Sequence, residues 1–78
     1  NSANAFIMDM LENGWDDADY IRVHRMKERY SRYCFKHKIK KVVTYRELKY
    51  KLEAFGAFVK KKRVGNEITS CYFGLKWK

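Results

Sequence analysis

Apolar residues recur at helical spacing in two stretches of the first half of the chain. Within residues 3–11 they occupy positions i, i+1, i+4 and i+5, as Phe6, Ile7, Met10 and Leu11. This spacing predicts an amphipathic helix, which Gly14 should end. Residues 24–38 predict a longer helix, because one face collects Met26, Tyr30, Tyr33, Cys34 and His37. Between them, DDAD at 16–19 predicts a polar turn and YIRV at 20–23 a short strand.

The other face of the helix over residues 24–38 is charged. It carries Arg25, Lys27, Glu28, Arg29, Arg32 and Lys36. We interpret this face as a solvated surface, with an ion pair between Glu28 and Arg32 one turn apart. The stretch KHKIKK at 36–41 is then a basic connector to the next element.

Residues 44–56, TYRELKYKLEAFG, carry the clearest local pattern in the chain. Thr44 and Glu47 match the T-x-x-E capping box that begins a helix, and Gly56 is placed to end it. One face should be buried, and it comprises Tyr45, Leu48, Leu52 and Phe55. The opposite face should be exposed, and it carries Arg46, Lys49, Tyr50 and Glu53, with Lys51 at the side.

The last third of the chain predicts a β-hairpin. Strands are expected over residues 57–64 and 67–75, joined by a turn at Gly65-Asn66. Side chains on a strand alternate between its faces, so one face of the second strand should point inward. That face comprises Cys71, Phe73, Leu75 and, as a cap on the core, Trp77.

The predicted elements follow the order of a winged helix, an α+β helix-turn-helix domain with a hairpin appended. Residues 24–38 would be the supporting helix, residues 44–55 the recognition helix and the hairpin tip the wing. We expect residues 5–78 to form a single winged-helix domain. Residues 1–4 are expected to be a disordered start or a remnant of cloning.

Charge is distributed very unevenly along the 78 residues, whose formal net charge is +9. Residues 1–20 hold five carboxylates and no lysine or arginine. Residues 21–78 hold all 18 cations and four carboxylates, a formal charge of +14. A body this basic repels itself unless a polyanion compensates, which favours nucleic acid, an anionic membrane or an acidic protein as partner. We interpret the acidic start, with Asp16, Asp17 and Asp19, as a linker rather than as a segment that covers the basic body.

The first hairpin strand contains four consecutive cations, Lys60, Lys61, Lys62 and Arg63. Because side chains alternate between faces, the four cannot all lie on one polar face above a core. Near the tip of a projecting wing both faces are solvated, which explains how the charges are tolerated. A strand that needs only solubility would mix charges of both signs. We therefore favour a phosphate-binding finger over the alternative, protection of an exposed strand edge.

The expected recognition helix favours phosphate binding as well. Arg46 is in its first turn and Lys49 follows on the exposed side, where helix-turn-helix proteins contact DNA. Tyr50 could stack on a base or a sugar, or pack under the wing, and the sequence leaves both open. Lys40 and Lys41 directly precede the helix and would extend the basic patch.

Other functional classes find little support in the sequence. Cys34 and Cys71 are isolated, and we expect reduced core residues rather than a disulfide. A zinc site of Cys34, His24 and His37 would lack its fourth ligand, so no metal or cofactor is expected. There is no Walker-type loop, no H-E-x-x-H and no acid pair placed for hydrolysis, so this chain alone is not expected to be an enzyme. No apolar run approaches the roughly 20 residues of a membrane span. The basic helix face also lacks a matching exposed apolar face, so no membrane partner is expected.

Three stretches, ERYSRYC, TYRELKYKLEAFG and VKKKRVGNEITSCYFGL, together resemble the C-terminal domain of the poxvirus helicase-primase. This is a large replicative NTPase with relatives in other large DNA viruses and phages. In such domains an aromatic helix with a Tyr-Cys pair precedes a recognition helix ending in Gly, and a basic strand and a terminal hairpin follow. The resemblance covers residues 5–77, and the matching positions are Tyr30, Tyr33, Cys34, Leu48, Leu52, Gly56, Arg63 and Gly74.

The resemblance implies a parent protein that is a hexameric, ATP-binding, NTP-hydrolysing helicase-primase acting in viral DNA replication in the host cytoplasm. Its NTPase and primase motifs would lie upstream of this chain. For the chain itself it implies a monomeric DNA-binding module that uses Lys60–Arg63 and the helix at 44–55. Single-stranded, forked and duplex DNA all remain open as ligands, and other replication proteins would be further partners. The main alternative is a winged helix that docks an acidic replication partner.

Overall fold

The computed structural model of the protein describes residues 1–15 and 18–78, and this part of the chain has an α+β fold of three helices and five strands. The elements are α1 (Ser2–Met10), β1 (Leu11–Asn13), β2 (Tyr20–Arg22), α2 (Val23–Lys36), α3 (Tyr45–Ala54), β3 (Phe58–Val64), β4 (Glu67–Phe73) and β5 (Leu75–Trp77). The strands form two antiparallel sheets, with the orders β1–β5 and β2–β4–β3. Asp16 and Asp17, which belong to the predicted polar turn, lie outside the described residues.

Helix α1 begins at the second residue of the chain. Asn1 caps it, since its side-chain oxygen accepts a hydrogen bond from the backbone N–H of Asn4 at 3.0 Å. Ser2 and Ala3 are both buried. The expectation that residues 1–4 are a disordered start is therefore wrong, because the first turn of α1 packs into the core.

At Met10 the helix gives way to strand β1, whereas the sequence predicted that it would continue toward Gly14. Leu11 adopts an extended conformation and pairs with β5. Its side chain is buried together with those of Phe6 and Ile7. The prediction that this segment contributes to the core is confirmed, although Leu11 belongs to strand β1 and not to the helix.

The three-stranded sheet has β4 at its centre. The short strand predicted at 20–23 is confirmed as β2, which pairs with the C-terminal half of β4. The hairpin is confirmed as β3 and β4, joined by a two-residue turn at Gly65-Asn66. Gly65 has a φ of 64°, the left-handed conformation that the first central position of a type II′ hairpin turn requires.

The two faces of β4 are covered differently from the prediction. Tyr72 lies in the hydrophobic core beside its cross-strand partners Ile21 and Val59. Cys71 and Phe73 lie in the adjacent rows of the sheet and therefore point to the opposite face. Their predicted inward orientation is wrong, although both are buried. Aromatic and basic side chains of β2 and β3 flank them on that outer face.

Helix α2 confirms the long helix and most of its predicted buried face. The buried residues are Met26, Tyr30, Tyr33 and Cys34. His37 is exposed at the C-cap position, where its backbone N–H donates to the carbonyl of Tyr33 at 3.0 Å. The predicted Glu28–Arg32 pair is wrong, because the Glu28 carboxylate is engaged by Arg25 at 2.5 Å, on the preceding turn.

Helix α3 confirms the predicted cap. The Thr44 hydroxyl accepts a hydrogen bond from the backbone N–H of Glu47 at 3.1 Å, and Gly56 follows the helix with a positive φ. Tyr45 was expected in the core but is 45% exposed. The first turn of α3 extends beyond the core, so the Tyr45 ring lies beside the ammonium group of Lys27, 5.2 Å from its centroid. The core face of α3 consists of Leu48, Leu52 and the half-buried Phe55.

Tyr30 joins three segments of the chain at the centre of the core. Its hydroxyl hydrogen-bonds with Oγ of Ser2 at 2.8 Å and accepts from the backbone N–H of Val43 at 3.1 Å. The Ser2 hydroxyl also donates to the carbonyl of Lys41 at 3.1 Å. The ring of Phe6 packs edge-on against Tyr30, with centroids 5.3 Å apart. Because buried polar groups need partners, this network fixes the connector before α3 against α1.

We predict that Tyr30→Phe lowers the free energy of unfolding by about 1–3 kcal/mol, because the Val43 N–H and the Ser2 hydroxyl lose a buried partner. For a domain of this size, each kcal/mol corresponds to a fall in Tm of about 4–8 °C, which thermal unfolding followed by circular dichroism would measure. Tyr45→Phe removes the same hydroxyl from an exposed ring and should leave Tm almost unchanged. Equal effects of the two substitutions would contradict a stabilising role for the network.

Gly74 allows the chain to pass from the larger sheet to the smaller one. Its φ of 83° ends β4 at Phe73, and β5 begins at Leu75. The single strand predicted over 67–75 is therefore two strands in different sheets. A Cβ atom at Gly74 would lie 3.1 Å from the carbonyl oxygen of Gly56, so both conformation and space favour glycine here.

We predict that Gly74→Ala is more destabilising than Gly65→Ala. Both alanines would adopt a left-handed conformation, which costs about 1–2 kcal/mol. Only the alanine at Gly74 would also crowd a backbone carbonyl, since nothing lies within 4 Å of the corresponding position at Gly65. Denaturant unfolding of the two variants gives the comparison. A Gly74→Ala protein as stable as the Gly65→Ala protein would show that the close approach to Gly56 is not limiting.

Candidate functional site

A groove runs between the N-terminal halves of α2 and α3 and the inner face of the β3–β4 hairpin. Its volume is about 320 Å³. We call it the helix–hairpin groove, and its lining residues are Val23, Lys27, Tyr45, Arg46, Lys49, Val59, Ser70 and Tyr72. Three of these side chains are cations, and they come from both helices. The fold therefore brings positive charge from separate parts of the sequence to one concave surface.

The register of the hairpin divides the four consecutive cations between its two faces. Lys61 pairs with Ser70, which lines the groove, so Lys61 and Arg63 lie on the groove side of the hairpin. Lys60 and Lys62 lie on the opposite side, the outer face of the sheet. Two of the four predicted site residues of this strand thus face α3 and two face away from it.

Five cations line the groove or face it from the hairpin, and none of them has a carboxylate partner among the described residues. They are Lys27, Arg46, Lys49, Lys61 and Arg63. The ion pairs within 4.0 Å in this part of the chain are Arg25–Glu28 and Lys76–Glu12, which involve other cations. Since these like charges repel one another without a neutralising group, an anion bound in the groove would be stabilised.

Arg46 is the groove cation that neighbouring side chains orient most directly. Its Nε donates to the hydroxyl of Tyr50 at 3.0 Å, and its guanidinium lies 5.9 Å from the centroid of the same ring. Tyr50 is 53% exposed and is not among the groove-lining residues. Of the two roles left open for Tyr50, packing under the hairpin is not observed. The bond to Nε leaves the terminal nitrogens of Arg46, each a hydrogen-bond donor, to contact a ligand.

Sequence reasoning did not assign Lys27 and Tyr45 to the functional site, although both line the groove. Lys27 was assigned to a solvated helix face, and Tyr45 was assigned to the core. Their cation–π contact joins α2 to the first turn of α3 and forms one wall of the groove. Helical spacing could not reveal this pairing, because it depends on how the two helices pack.

Lys40 and Lys41, predicted to extend the basic patch, are exposed in the connector 37–44. Neither is among the residues that line the groove. The backbone carbonyl of Lys41 belongs to the Tyr30 network, which holds the connector in place. These two lysines therefore flank the start of α3 without entering the groove.

A second basic cleft of about 200 Å³ lies on the other side of α2. Its lining residues are Met10, Arg29, Arg32, Tyr33, Lys36 and His37. The guanidinium of Arg29 packs over the ring of Trp77 at 4.5 Å, and the hydroxyl of Tyr33 donates to Asp9 at 2.6 Å. That hydrogen bond, with burial, raises the pKa of Tyr33 to about 12. Here the carboxylate of Asp9 binds a lining residue, whereas none of the groove cations has a carboxylate partner among the described residues.

Three described carboxylates of the acidic start contact groups outside the groove, and one of them is Glu12, whose Oε1 lies 3.5 Å from Nζ of Lys76. Asp19 accepts a hydrogen bond from the backbone N–H of Trp15 at 2.7 Å, and Asp9 accepts the one from Tyr33. Asp16 and Asp17 lie outside the described residues. No carboxylate of this segment for which the structure gives a contact reaches a groove cation.

The remaining reactive groups are buried and serve packing. Cys34 and Cys71 are both free thiols, and burial raises the pKa of Cys71, an effect partly opposed by Arg22 and Lys62. Burial also raises the pKa of the Tyr72 hydroxyl. Across residues 1–15 and 18–78, no three His, Cys, Asp or Glu side chains are grouped to hold a metal ion. None of the helices described is both long and apolar enough to span a bilayer.

Comparison with known proteins adds no assignment to this geometry. No model of a protein family matches the sequence, and no curated protein matches it.

Proposed function

We propose that this chain is a DNA-binding winged-helix module that contacts the phosphate backbone through the helix–hairpin groove. In this proposal α2 is the supporting helix, α3 is the recognition helix and the β3–β4 hairpin is the wing. The observation that carries it is the convergence of five cations without carboxylate partners, from three separate elements, on one groove. A polyanion that fits between a helix and a hairpin would neutralise all five.

The chemistry of the groove favours phosphates over base edges. Lys49 and Lys61 carry flexible point charges, which suit phosphate oxygens and carry little directional information. Arg46 stands in the first turn of α3, where unpaired backbone N–H groups also attract an anion. Contacts of this kind fix the position of a protein on DNA and give affinity without sequence information.

The resemblance to the C-terminal domain of the poxvirus helicase-primase supplies the wider context of the proposal. The parent protein would be a hexameric replicative helicase-primase of a large DNA virus or phage, which hydrolyses NTPs in the host cytoplasm. This module would then hold template DNA near the helicase. In this proposal the NTPase and primase activities of the parent would belong to domains outside the present sequence.

A second candidate function is the docking of an acidic replication protein. It is favoured by the same unpaired cations and by an apolar cleft between α1 and α3. That cleft is lined by Asn4, Ile7, Met8, Lys51, Ala54 and Phe55, and the Met8 side chain is largely exposed there. A partner of this kind would cover an apolar surface as well as basic ones, which distinguishes it from DNA.

We predict that Lys61→Ala/Arg63→Ala weakens duplex binding and lowers the slope of log affinity against log salt by about 2, since each phosphate contact contributes about 0.9. Arg46→Ala/Lys49→Ala should have a similar effect. Fluorescence anisotropy with a labelled duplex at several salt concentrations measures both quantities. The matched control is Arg32→Ala/Lys36→Ala, which removes the same charge from the cleft on the other side of α2 and should leave the slope nearly unchanged.

Two results would count against the proposal. Equal slope changes in the control and in the groove variants would mean that duplex DNA responds to net charge rather than to the groove. No duplex binding at low salt, together with retained binding of an acidic partner that Met8→Ser weakens, would favour the docking function instead.

A further inference from the structure

Three aromatic rings form a row across the outer face of the three-stranded sheet. Tyr20, Phe73 and Phe58 are cross-strand partners on β2, β4 and β3. The Phe73 centroid lies 5.9 Å from that of Tyr20 and 5.7 Å from that of Phe58. Phe73 is only 6% exposed, whereas Tyr20 is 37% and Phe58 is 41% exposed. The outer two rings therefore remain open to solvent, with a buried ring supporting them from between.

Cations lie beside this row on the same face. Arg22 and Lys60 flank Cys71 in the next row of the sheet, and Lys62 follows toward the hairpin turn. The Lys62 ammonium lies 5.0 Å from the Tyr20 centroid and the Lys60 ammonium lies 5.7 Å from the Phe58 centroid. Within the three strands, the one carboxylate on this face is Glu67, beside the turn. The outer face thus combines open aromatic rings with positive charge.

We propose that the outer face of the β2–β4–β3 sheet binds single-stranded nucleic acid, with bases stacked on Tyr20 and Phe58 and phosphates bound by Lys60, Lys62 and Arg22. This inference extends the proposed DNA-binding function to a second surface. Sequence-tolerant single-strand binders combine these two features, stacking rings and a basic track for the backbone. The two open rings are separated by two strand spacings, about 10 Å, so each can hold its own base.

Single strands suit this face better than duplex DNA does. The bases of a duplex are stacked on one another inside the helix, and their faces are closed to Tyr20 and Phe58. In a single strand the base faces are accessible, and every base offers a π-surface to an aromatic ring. The groove on the other side of the hairpin contains cations but no comparable row of rings. That composition suits the phosphate backbone of a duplex.

In the absence of a ligand, Lys60 and Lys62 contact the two exposed rings. Each ammonium lies over the ring on which a base would stack. An exposed cation–π contact is weak, and stacking of a base on an aromatic ring is stronger. A base can therefore displace the ammonium, which remains beside the ring and can bind the phosphate of the same nucleotide. A protein partner with an apolar surface would instead bury Lys60 and Lys62 without counter-charges, which is costly.

The hairpin thus presents two faces with different ligands. Lys61 and Arg63 face the groove, and Lys60 and Lys62 face the aromatic row. Because consecutive residues alternate, one run of four cations serves both faces. On a forked DNA, the duplex would lie in the groove while one separated strand would follow the outer face of the same hairpin.

The test compares two pairs of variants on two ligands. Tyr20→Leu/Phe58→Leu keeps apolar cover over Phe73 but removes both stacking rings. It should lower affinity for a labelled oligothymidylate about tenfold or more and leave duplex affinity within about twofold. Lys60→Ala/Lys62→Ala should reduce the salt slope for the single strand, and its matched control Lys61→Ala/Arg63→Ala should reduce that for the duplex. Phe35→Leu removes an exposed ring from α2 and should affect neither ligand.

A crosslinking measurement on the unmodified protein keeps the test valid if a variant fails to fold. An oligothymidylate carrying 5-iodouracil should crosslink to the peptides that contain Tyr20 or Phe58, as mapped by mass spectrometry. Crosslinks confined to α3 peptides, or an unchanged single-strand affinity in folded Tyr20→Leu/Phe58→Leu protein, would overturn the inference.

The outcomes also separate this inference from the proposed function. Duplex binding without single-strand binding would overturn only the outer-face inference. Binding of neither DNA would overturn both. If polyglutamate competes for the outer face as well as oligothymidylate does and the ring substitutions have no effect, the surface fits an acidic protein instead.

Discussion

The pairing register of β4 with β2 and β3 is the constraint on which the rest of this structure depends. With Tyr72 facing the helices, Ile21 and Val59 join it in the core, and every second residue of the hairpin faces the groove. A slip of one residue would exchange the two faces. It would put Lys60 against the core and turn the groove cations toward solvent. The burial of Tyr72 against the helices therefore also sets the direction of each cation on the hairpin.

The helices and the hairpin could be predicted from sequence because each has a strong local signal. The capping box at Thr44 and the turn at Gly65-Asn66 both lie where the sequence places them. The pairing of β1 with β5 could not be predicted, since each strand has three residues and carries no periodic pattern. The face of β4 was assigned wrongly because its C-terminal half is buried on both sides, so alternation of polar and apolar residues disappears there.

The candidate site was predictable in composition but not in arrangement. The basic run on β3 and the cations of α3 can be recognised in the sequence, because folding alone does not require positive charge at these positions. Which of them face each other depends on the packing of α2, α3 and the hairpin, which no local pattern encodes. The same limit hid Lys27 and Tyr45, whose contact exists only because the two helices meet at their N-terminal halves. Tyr20 and Phe58 were likewise assigned to strands without any indication that they share one row.

A small basic domain of this kind must hold its charges against their mutual repulsion. A chain of 78 residues buries a limited core, and the polar network around Tyr30 adds directional contacts that hold the connector 37–44 against α1. The unpaired cations of the groove repel one another, which lowers the stability of the folded chain. A bound polyanion reverses that effect. If DNA binds the groove as proposed, the free energy of binding also stabilises the folded chain by linkage. The proposed binding and the stability would then depend on the same side chains. Removal of groove cations should weaken DNA binding while raising the free energy of unfolding of the unbound chain.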